Sequence, residues 1–80
     1  MRLDKFLKVS RIIKRRTVAK DFAENDRVMI NGKIAKPSTE VKVGDVISLR
    51  SGARQSSYQI LKLADNVKAS EAKELYRIIE

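Results

Sequence analysis

The Asn31-Gly32 pair separates two short runs of β-favouring residues, and no other feature of the sequence constrains the fold as strongly. Both residues tolerate positive φ angles, so the pair favours the two-residue turn of an antiparallel hairpin. The run before it covers residues 27–30, and the run after it covers residues 33–35. A β-hairpin is therefore expected near the middle of the chain.

The first residues of the chain show the apolar period of an α-helix. Leu3, Phe6 and Leu7 fall on one helical face, which predicts a first helix over residues 2–9. Residues 10–14 lack this period, and we expect them to connect the first helix to a second one.

A second helix is predicted from residue 16 to residue 24. Apolar residues four positions apart indicate its buried face: Val18, Ala19, Phe22 and Ala23. We expect Asn25 and Asp26 to end this helix, because Asn tolerates the left-handed conformation of a helix cap.

Two further strands and a C-terminal helix are expected after the hairpin. Residues 46–49 predict one strand and residues 58–63 another, with a flexible loop over residues 51–56 between them. The tail from Ser70 to residue 80 has helical composition, with Ser70 as its N-cap.

The tail helix is expected to dock on the domain through one apolar face that carries Leu75, Ile78 and Ile79. A stripe that binds a partner is the alternative. We therefore predict an α+β fold in which two N-terminal helices pack on a small, twisted antiparallel sheet. The predicted domain covers residues 1–66, and the helical tail covers residues 67–80.

Positive charge is concentrated in the first part of the chain. The formal net charge is +8; residues 1–36 hold eleven Lys or Arg against four Asp or Glu, whereas residues 37–80 hold seven against six. An asymmetric field of this kind attracts polyanions. A basic surface that only aids solubility is the alternative, but solubility does not require such asymmetry.

The sequence contains no Cys and no His. Disulfides, thiolate metal sites and thiol nucleophiles are therefore excluded, and the commonest general base is missing. No apolar run approaches the ~18–20 residues of a membrane span, and no signal-peptide core follows Met1. We expect a cytoplasmic protein that is not an enzyme and that uses no metal or cofactor.

The candidate RNA-binding residues are the basic residues of the two helices and their connector. Arg15 and Arg16 lie at the expected start of the second helix, where free N–H groups and the helix dipole suit phosphate oxygens. The same surface is expected to include Arg2, Lys5, Lys8, Arg11, Lys14 and Lys20, with Lys33 and Lys36 at its rim. The alternative is a solvated charged face in which arginines pair with Asp4, Asp21 or Glu24.

Structured RNA is favoured over DNA as the polyanion. No segment resembles a groove-reading helix with Asn or Gln at its start. Phe6 and Phe22 fall on core faces of the predicted helices, so base stacking has little support. Recognition of phosphates and of RNA shape remains.

Several segments of residues 1–50, taken together, resemble the S-four (S4) RNA-binding domain, a module named for a small-subunit ribosomal protein. The segments that match are residues 2–7, Arg11, Lys14, Arg16, residues 28–32, residues 36–38 and residues 44–47. The resemblance implies an S-four-like fold with an RNA face that includes Arg2, Lys5, Arg11, Lys14 and Arg16. It also implies that Asp4 orients Arg2 or Arg16, or favours the helix start electrostatically.

Two positions depart from the pattern of this family. Arg15 stands where members often have a small or hydroxyl residue. Asn25-Asp26 stands where they often have Gly before the first strand; the turn should still form, because both residues tolerate the left-handed region.

Within the family, the chain resembles the stand-alone RqcP (YabO) group of Gram-positive bacteria, which is related to heat-shock protein fifteen. This resemblance implies a factor of ribosome-associated quality control that binds obstructed large ribosomal subunits. Its partners would be large-subunit rRNA, peptidyl-tRNA and an RqcH-type factor that directs alanine tailing, and we expect the protein to be a monomer. A general rRNA-binding, ribosome-associated or heat-shock protein is the alternative.

Overall fold

A computed structural model describes residues 1–80. The elements are α1 (Leu3–Val9), α2 (Arg16–Glu24), β1 (Val28–Ile30), β2 (Lys33–Ile34), β3 (Val46–Ser51), β4 (Arg54–Ile60), a 3₁₀ helix (Ala69–Leu75) and β5 (Tyr76–Ile79). All strand pairs are antiparallel, in the sheet order β2-β1-β3-β4-β5. This confirms the predicted α+β class. No helix has both the length and the apolar character needed to span a membrane.

The predicted hairpin is present between β1 and β2. Asn31 has a φ of 52° and Gly32 a φ of 83°, as the two-residue turn requires, and Met29 lies opposite Ile34. The Asn31 side chain also accepts a hydrogen bond of 2.9 Å from the Val46 amide. The turn therefore ties the hairpin to β3, which pairs with the other side of β1.

Both predicted helices are confirmed, but the left-handed residue that ends α2 is not the one expected. Asn25 has a φ of −95°, whereas Asp26 has a φ of 59°. The Asn25 side chain instead donates to the Asp21 carbonyl at 2.7 Å. The turn into β1 thus forms without glycine, because Asp tolerates the left-handed region better than most side chains.

The core lies between the two helices and one face of the sheet. Its eleven buried residues are Leu3, Phe6, Leu7, Ala19, Ala23, Val28, Ala35, Val41, Ile47, Ile60 and Leu75. The predicted face of α2 is only partly correct, because Val18 is 41% exposed and Phe22 is half-buried. The small side chains of Ala19 and Ala23 allow α2 to pack closely, so its larger apolar residues lie at the edge of the contact.

The prediction of a loop over residues 51–56 and a strand over residues 58–63 is wrong. β3 continues to Ser51 and β4 begins at Arg54, joined by a tight turn in which Gly52 has a φ of 63°. The start of β4 is exposed and polar, so it shows no hydrophobic alternation although its backbone pairs with β3. β4 ends at Ile60, before Leu61 and Leu63 of the predicted strand, and the next amide, that of Leu61, donates to the Leu75 carbonyl at 2.8 Å.

The tail is helical only as far as Leu75; the expectation of a helix to residue 80 is wrong. The 3₁₀ helix starts at Ala69, one residue before the expected cap Ser70, and the chain then extends as β5 beside β4. Pairing covers the edge of β4, and aromatic and β-branched side chains favour a strand there. Leu75 is fully buried but Ile78 is 62% exposed, so they do not share a docking face. The division of the chain at residue 66 stays a prediction.

Candidate nucleic-acid interface

Asp4 is a charged residue that is almost completely buried, with 2% of its surface exposed, in the first turn of α1. A carboxylate in such a position needs hydrogen-bond donors. The Lys5 amide donates to its Oδ1 at 2.8 Å. Arg2 donates through Nε to Oδ1 at 3.2 Å and through Nη2 to Oδ2 at 3.3 Å. This two-pronged contact restricts both the position and the orientation of the Arg2 guanidinium.

Arg16 brings a second guanidinium to the same carboxylate from the first residue of α2. Its Nη2 donates to Asp4 Oδ1 at 3.4 Å. The side chains of Arg2 and Arg16 are each 47% exposed, whereas that of Asp4 is 3% exposed. The family resemblance implied that Asp4 orients Arg2 or Arg16. Asp4 contacts both arginines. The three residues, named here the Asp4 clamp, present two positive groups on a buried negative one.

The electrostatics of the clamp favour an ionised Asp4. Burial alone would raise the pKa of this carboxyl, but hydrogen bonds from Arg2 and Arg16, the positive charge of Arg16 and the Lys5 amide together lower the pKa below its usual value. The clamp thus carries two positive charges and one negative charge at neutral pH. Its net positive charge is available to an anion.

Replacing Asp4 by Asn should reduce stability at neutral pH by about 1–3 kcal/mol, because a charge-assisted hydrogen-bond acceptor is lost. The folded pKa is lowered, so Asp4 stabilises the fold above its unfolded pKa of about 3.9 and loses this effect as the pH falls through the folded pKa. The difference between wild type and Asp4→Asn should therefore shrink in acid.

Urea unfolding of both proteins from neutral pH to about pH 2 measures this difference. Asp65 also has a lowered pKa, because it accepts a hydrogen bond from Lys5, but it is present in both proteins and cancels in the comparison. A difference in unfolding free energy that stayed constant with pH would contradict the assignment of this acid dependence to Asp4.

A shallow depression lies beside the clamp at the start of α2. It is lined by Arg2, Asp4, Arg16, Thr17 and Lys20. Arg15 is the N-cap residue and makes no side-chain cap, so the first amides of α2 are left for other acceptors. An uncapped helix start beside two guanidinium groups suits a phosphate. Thr17 is not among the residues predicted from the sequence, although its place one helical turn before Lys20 puts both residues on one face.

Four other predicted site residues are exposed and form no ion pair. They are Lys8 at the end of α1, Arg11 and Lys14 in the connector, and Arg15 before α2. Arg11 has a φ of 62°, and its amide donates to the Lys8 carbonyl at 3.0 Å, which closes the end of α1. The connector therefore carries positive charge that no acid of the chain neutralises.

The remaining predicted cations are less available or lie elsewhere. Lys5 pairs with Asp65 at 2.9 Å, Lys20 with Glu24 at 3.9 Å and Lys36 with Asp26 at 2.7 Å. Exposed pairs of this kind are weak, so RNA phosphates can compete for each lysine. Lys33 lies in β2, and neither Lys33 nor Lys36 forms a hydrogen bond or ion pair with the Asp4 clamp.

Comparison with known proteins places this geometry in a family. The model of the S4 domain matches residues 1–47, which include both helices, the clamp and the hairpin. Two similar proteins are each named RQC P-site tRNA stabilizing factor. The one from Listeria monocytogenes is 52% identical over 80 residues, covering 100% of this chain and 87% of the relative. The one from Bacillus subtilis is 50% identical, covering 100% of this chain and 93% of the relative.

The fold is also similar to a solved structure, that of trimeric heat shock protein 15 from Vibrio cholerae. The TM-score is 0.89 at 40% sequence identity, and the match covers 99% of this chain and 81% of that one. The family model spans more than half of this chain, and the relatives span its whole length. On these findings the chain belongs to the S4 domain family.

Proposed function

We propose that this protein is an RNA-binding factor of ribosome-associated quality control. It binds obstructed large ribosomal subunits that carry peptidyl-tRNA, contacts rRNA and tRNA, and supports alanine tailing of stalled nascent chains together with an RqcH-type factor. It acts on ribosomes in the cytoplasm and needs no catalytic group, metal or cofactor.

The Asp4 clamp is the observation that carries this proposal. Free arginine side chains lose conformational entropy when they bind a phosphate, whereas Arg2 and Arg16 are already ordered by Asp4. Their exposed N–H groups and the uncapped start of α2 then act on the same phosphate-rich surface. Structured RNA offers such a surface through its backbone and shape.

The proposed RNA face extends from the clamp over the connector and the flanking helices. Its residues are Arg2, Asp4, Lys5, Lys8, Arg11, Lys14, Arg15, Arg16 and Lys20, with Lys33 and Lys36 at the rim. Asp4 belongs to this face by positioning the two arginines. The cations that lack an acidic partner add long-range attraction.

The names of the Listeria and Bacillus relatives support tRNA and the ribosomal P site as the targets. The similarity to heat shock protein 15 favours a second candidate function: a general rRNA-binding heat-shock protein that recycles stalled large subunits. The two candidates differ in whether binding depends on tRNA in the subunit.

Sucrose gradients of cell extracts containing tagged protein distinguish these functions. Quality control predicts that the protein sediments with large subunits and that RNA sequencing of this fraction shows enriched tRNA. An Arg2→Ala/Arg16→Ala variant should remain at the top of the gradient. Equal association with every ribosomal species would contradict the quality-control function and favour the general rRNA binder; free sedimentation of wild type would contradict both.

We expect a monomer in solution. The chain carries a net charge of +8, which opposes self-association at low salt. The Vibrio relative is trimeric in its solved structure, so light scattering across protein concentration is the measurement of choice. A stable trimer would show that this expectation is wrong without affecting the RNA face.

A further inference from the structure

A second pair of arginines lies outside the proposed RNA face, at the other end of α2. Arg27 follows α2 and precedes β1, and Arg50 lies near the end of β3. The Arg50 amide donates to the Arg27 carbonyl at 2.9 Å. Because Val28 pairs with Leu49 in the antiparallel register, Arg27 and Arg50 stand opposite one another one position further along.

Two like charges opposite one another destabilise a sheet unless something neutralises them. Neither arginine forms an ion pair within the chain. Asp26 lines the same depression, but its Oδ1 is held by Lys36 at 2.7 Å. The fold therefore places two guanidinium groups without acidic partners on paired strands, where their repulsion lowers the stability of the sheet.

The surroundings of this pair suit a phosphate group. The depression is lined by Asn25, Asp26, Arg27, Ile34, Arg50 and Gly52. Gln55, which pairs with Arg50 on β4, supplies a neutral hydrogen-bond donor beside this arginine. The Arg27 guanidinium lies over the Phe22 ring, 5.7 Å from its centroid, which limits its freedom.

We infer that Arg27 and Arg50 form a second phosphate-binding site, which takes an RNA strand separate from the one at the Asp4 clamp. The two sites lie at opposite ends of α2, whose nine residues span roughly 13 Å at 1.5 Å per residue. Two exposed acidic residues of α2, Asp21 and Glu24, interrupt the positive charge between them. The inference rests on the proposed RNA-binding function and gives it a second point of contact.

The test measures how the affinity for bulk tRNA depends on salt for Arg27→Gln/Arg50→Gln. Loss of two phosphate contacts should make the negative slope of log affinity against log salt shallower by about two units. A matched control, Lys42→Gln/Arg77→Gln, also removes two positive charges, but from positions outside both proposed sites. Its slope should stay close to that of wild type. The melting temperature of the Arg27/Arg50 variant should be unchanged or higher, because like-charge repulsion is relieved.

Arg50→Gln alone leaves the contact between Arg27 and Phe22 intact and should make the negative slope shallower by about one unit. The second site would be overturned if both Arg50 variants had the slope and affinity of wild type. It would also be overturned if the control variant lost as much slope and affinity as the Arg27/Arg50 variant. An acidic protein would then be the better occupant. Failure of wild type to bind any RNA would instead overturn the proposed function itself.

Discussion

Replacing both Arg2 and Arg16 by Gln is expected to weaken binding to tRNA and to isolated large ribosomal subunits on the order of a hundredfold. An arginine that contacts nucleic acid contributes about 1–3 kcal/mol, and each 1.4 kcal/mol corresponds to a factor of ten in affinity. Both side chains are ordered by Asp4, so their removal also abolishes the preorganised geometry of the clamp. Titrations at fixed salt measure the loss.

Gln is chosen because its amide can still donate a hydrogen bond to the buried Asp4 carboxylate. Thermal unfolding of the same sample establishes that the variant is folded. The control Lys62→Gln/Lys73→Gln removes two exposed charges from the second half of the chain and should bind within a few-fold of wild type. Equal affinities for the clamp variant and this control would show that only net charge matters, and the clamp would lose its proposed role.

Arg16→Lys separates charge from geometry at the same position. It keeps the positive charge but loses the planar fork that allows one side chain to contact Asp4 and a phosphate together. We expect an affinity between those of wild type and the double variant. An affinity of Arg16→Lys equal to that of wild type would mean that a positive charge without the guanidinium geometry suffices at this position.

Replacing Leu75 by Ala should destabilise the domain by about 2–5 kcal/mol, the usual range for deletion of a buried leucine side chain. Leu75 is fully buried in the main core, and its carbonyl accepts hydrogen bonds from the amides of Leu61 and Lys62 at 2.8 and 3.3 Å. Domains of this size have only about 4–12 kcal/mol of total stability. The substitution therefore removes a large part of it, and urea unfolding measures the change.

The matched control is Ile78→Ala, because Ile78 lies in β5, three residues after Leu75, and is 62% exposed. Its effect should stay within about 0.5 kcal/mol, as for most surface substitutions. If Leu75→Ala were as mild as Ile78→Ala, the tail would contribute little to the core. Residues 1–66 would then be expected to fold without the tail. Because Leu75 is part of the main core, we expect instead that residues 1–66 need the tail to fold.

Local features of the sequence determined the order and type of most elements. Asn31-Gly32 predicts the hairpin because positive φ is a property of those two residues, and the structure has it there. The helical spacing of Leu3, Phe6 and Leu7 predicts α1 for an equally local reason. The bounds of α2 were predicted residue for residue, and the positive charge of the first 36 residues is a matter of composition.

Contacts between distant residues were decided only by the tertiary structure. The sequence shows that Asp4 is acidic and that Arg2 and Arg16 are basic, but only the packing of α1 on α2 makes one buried carboxylate the partner of both. The exposed start of β4 has no hydrophobic alternation that would predict a strand. It is a strand because its backbone pairs with β3.

The same limit applies to the tail and to the second arginine pair. The segment after Leu75 could form a helix on composition alone; the open edge of β4 makes it a strand. Arg27 and Arg50 are 23 positions apart, and only the β1–β3 register sets them opposite one another. Propensity and charge belong to single residues or short segments, whereas burial, shared partners and strand register depend on how the whole chain packs.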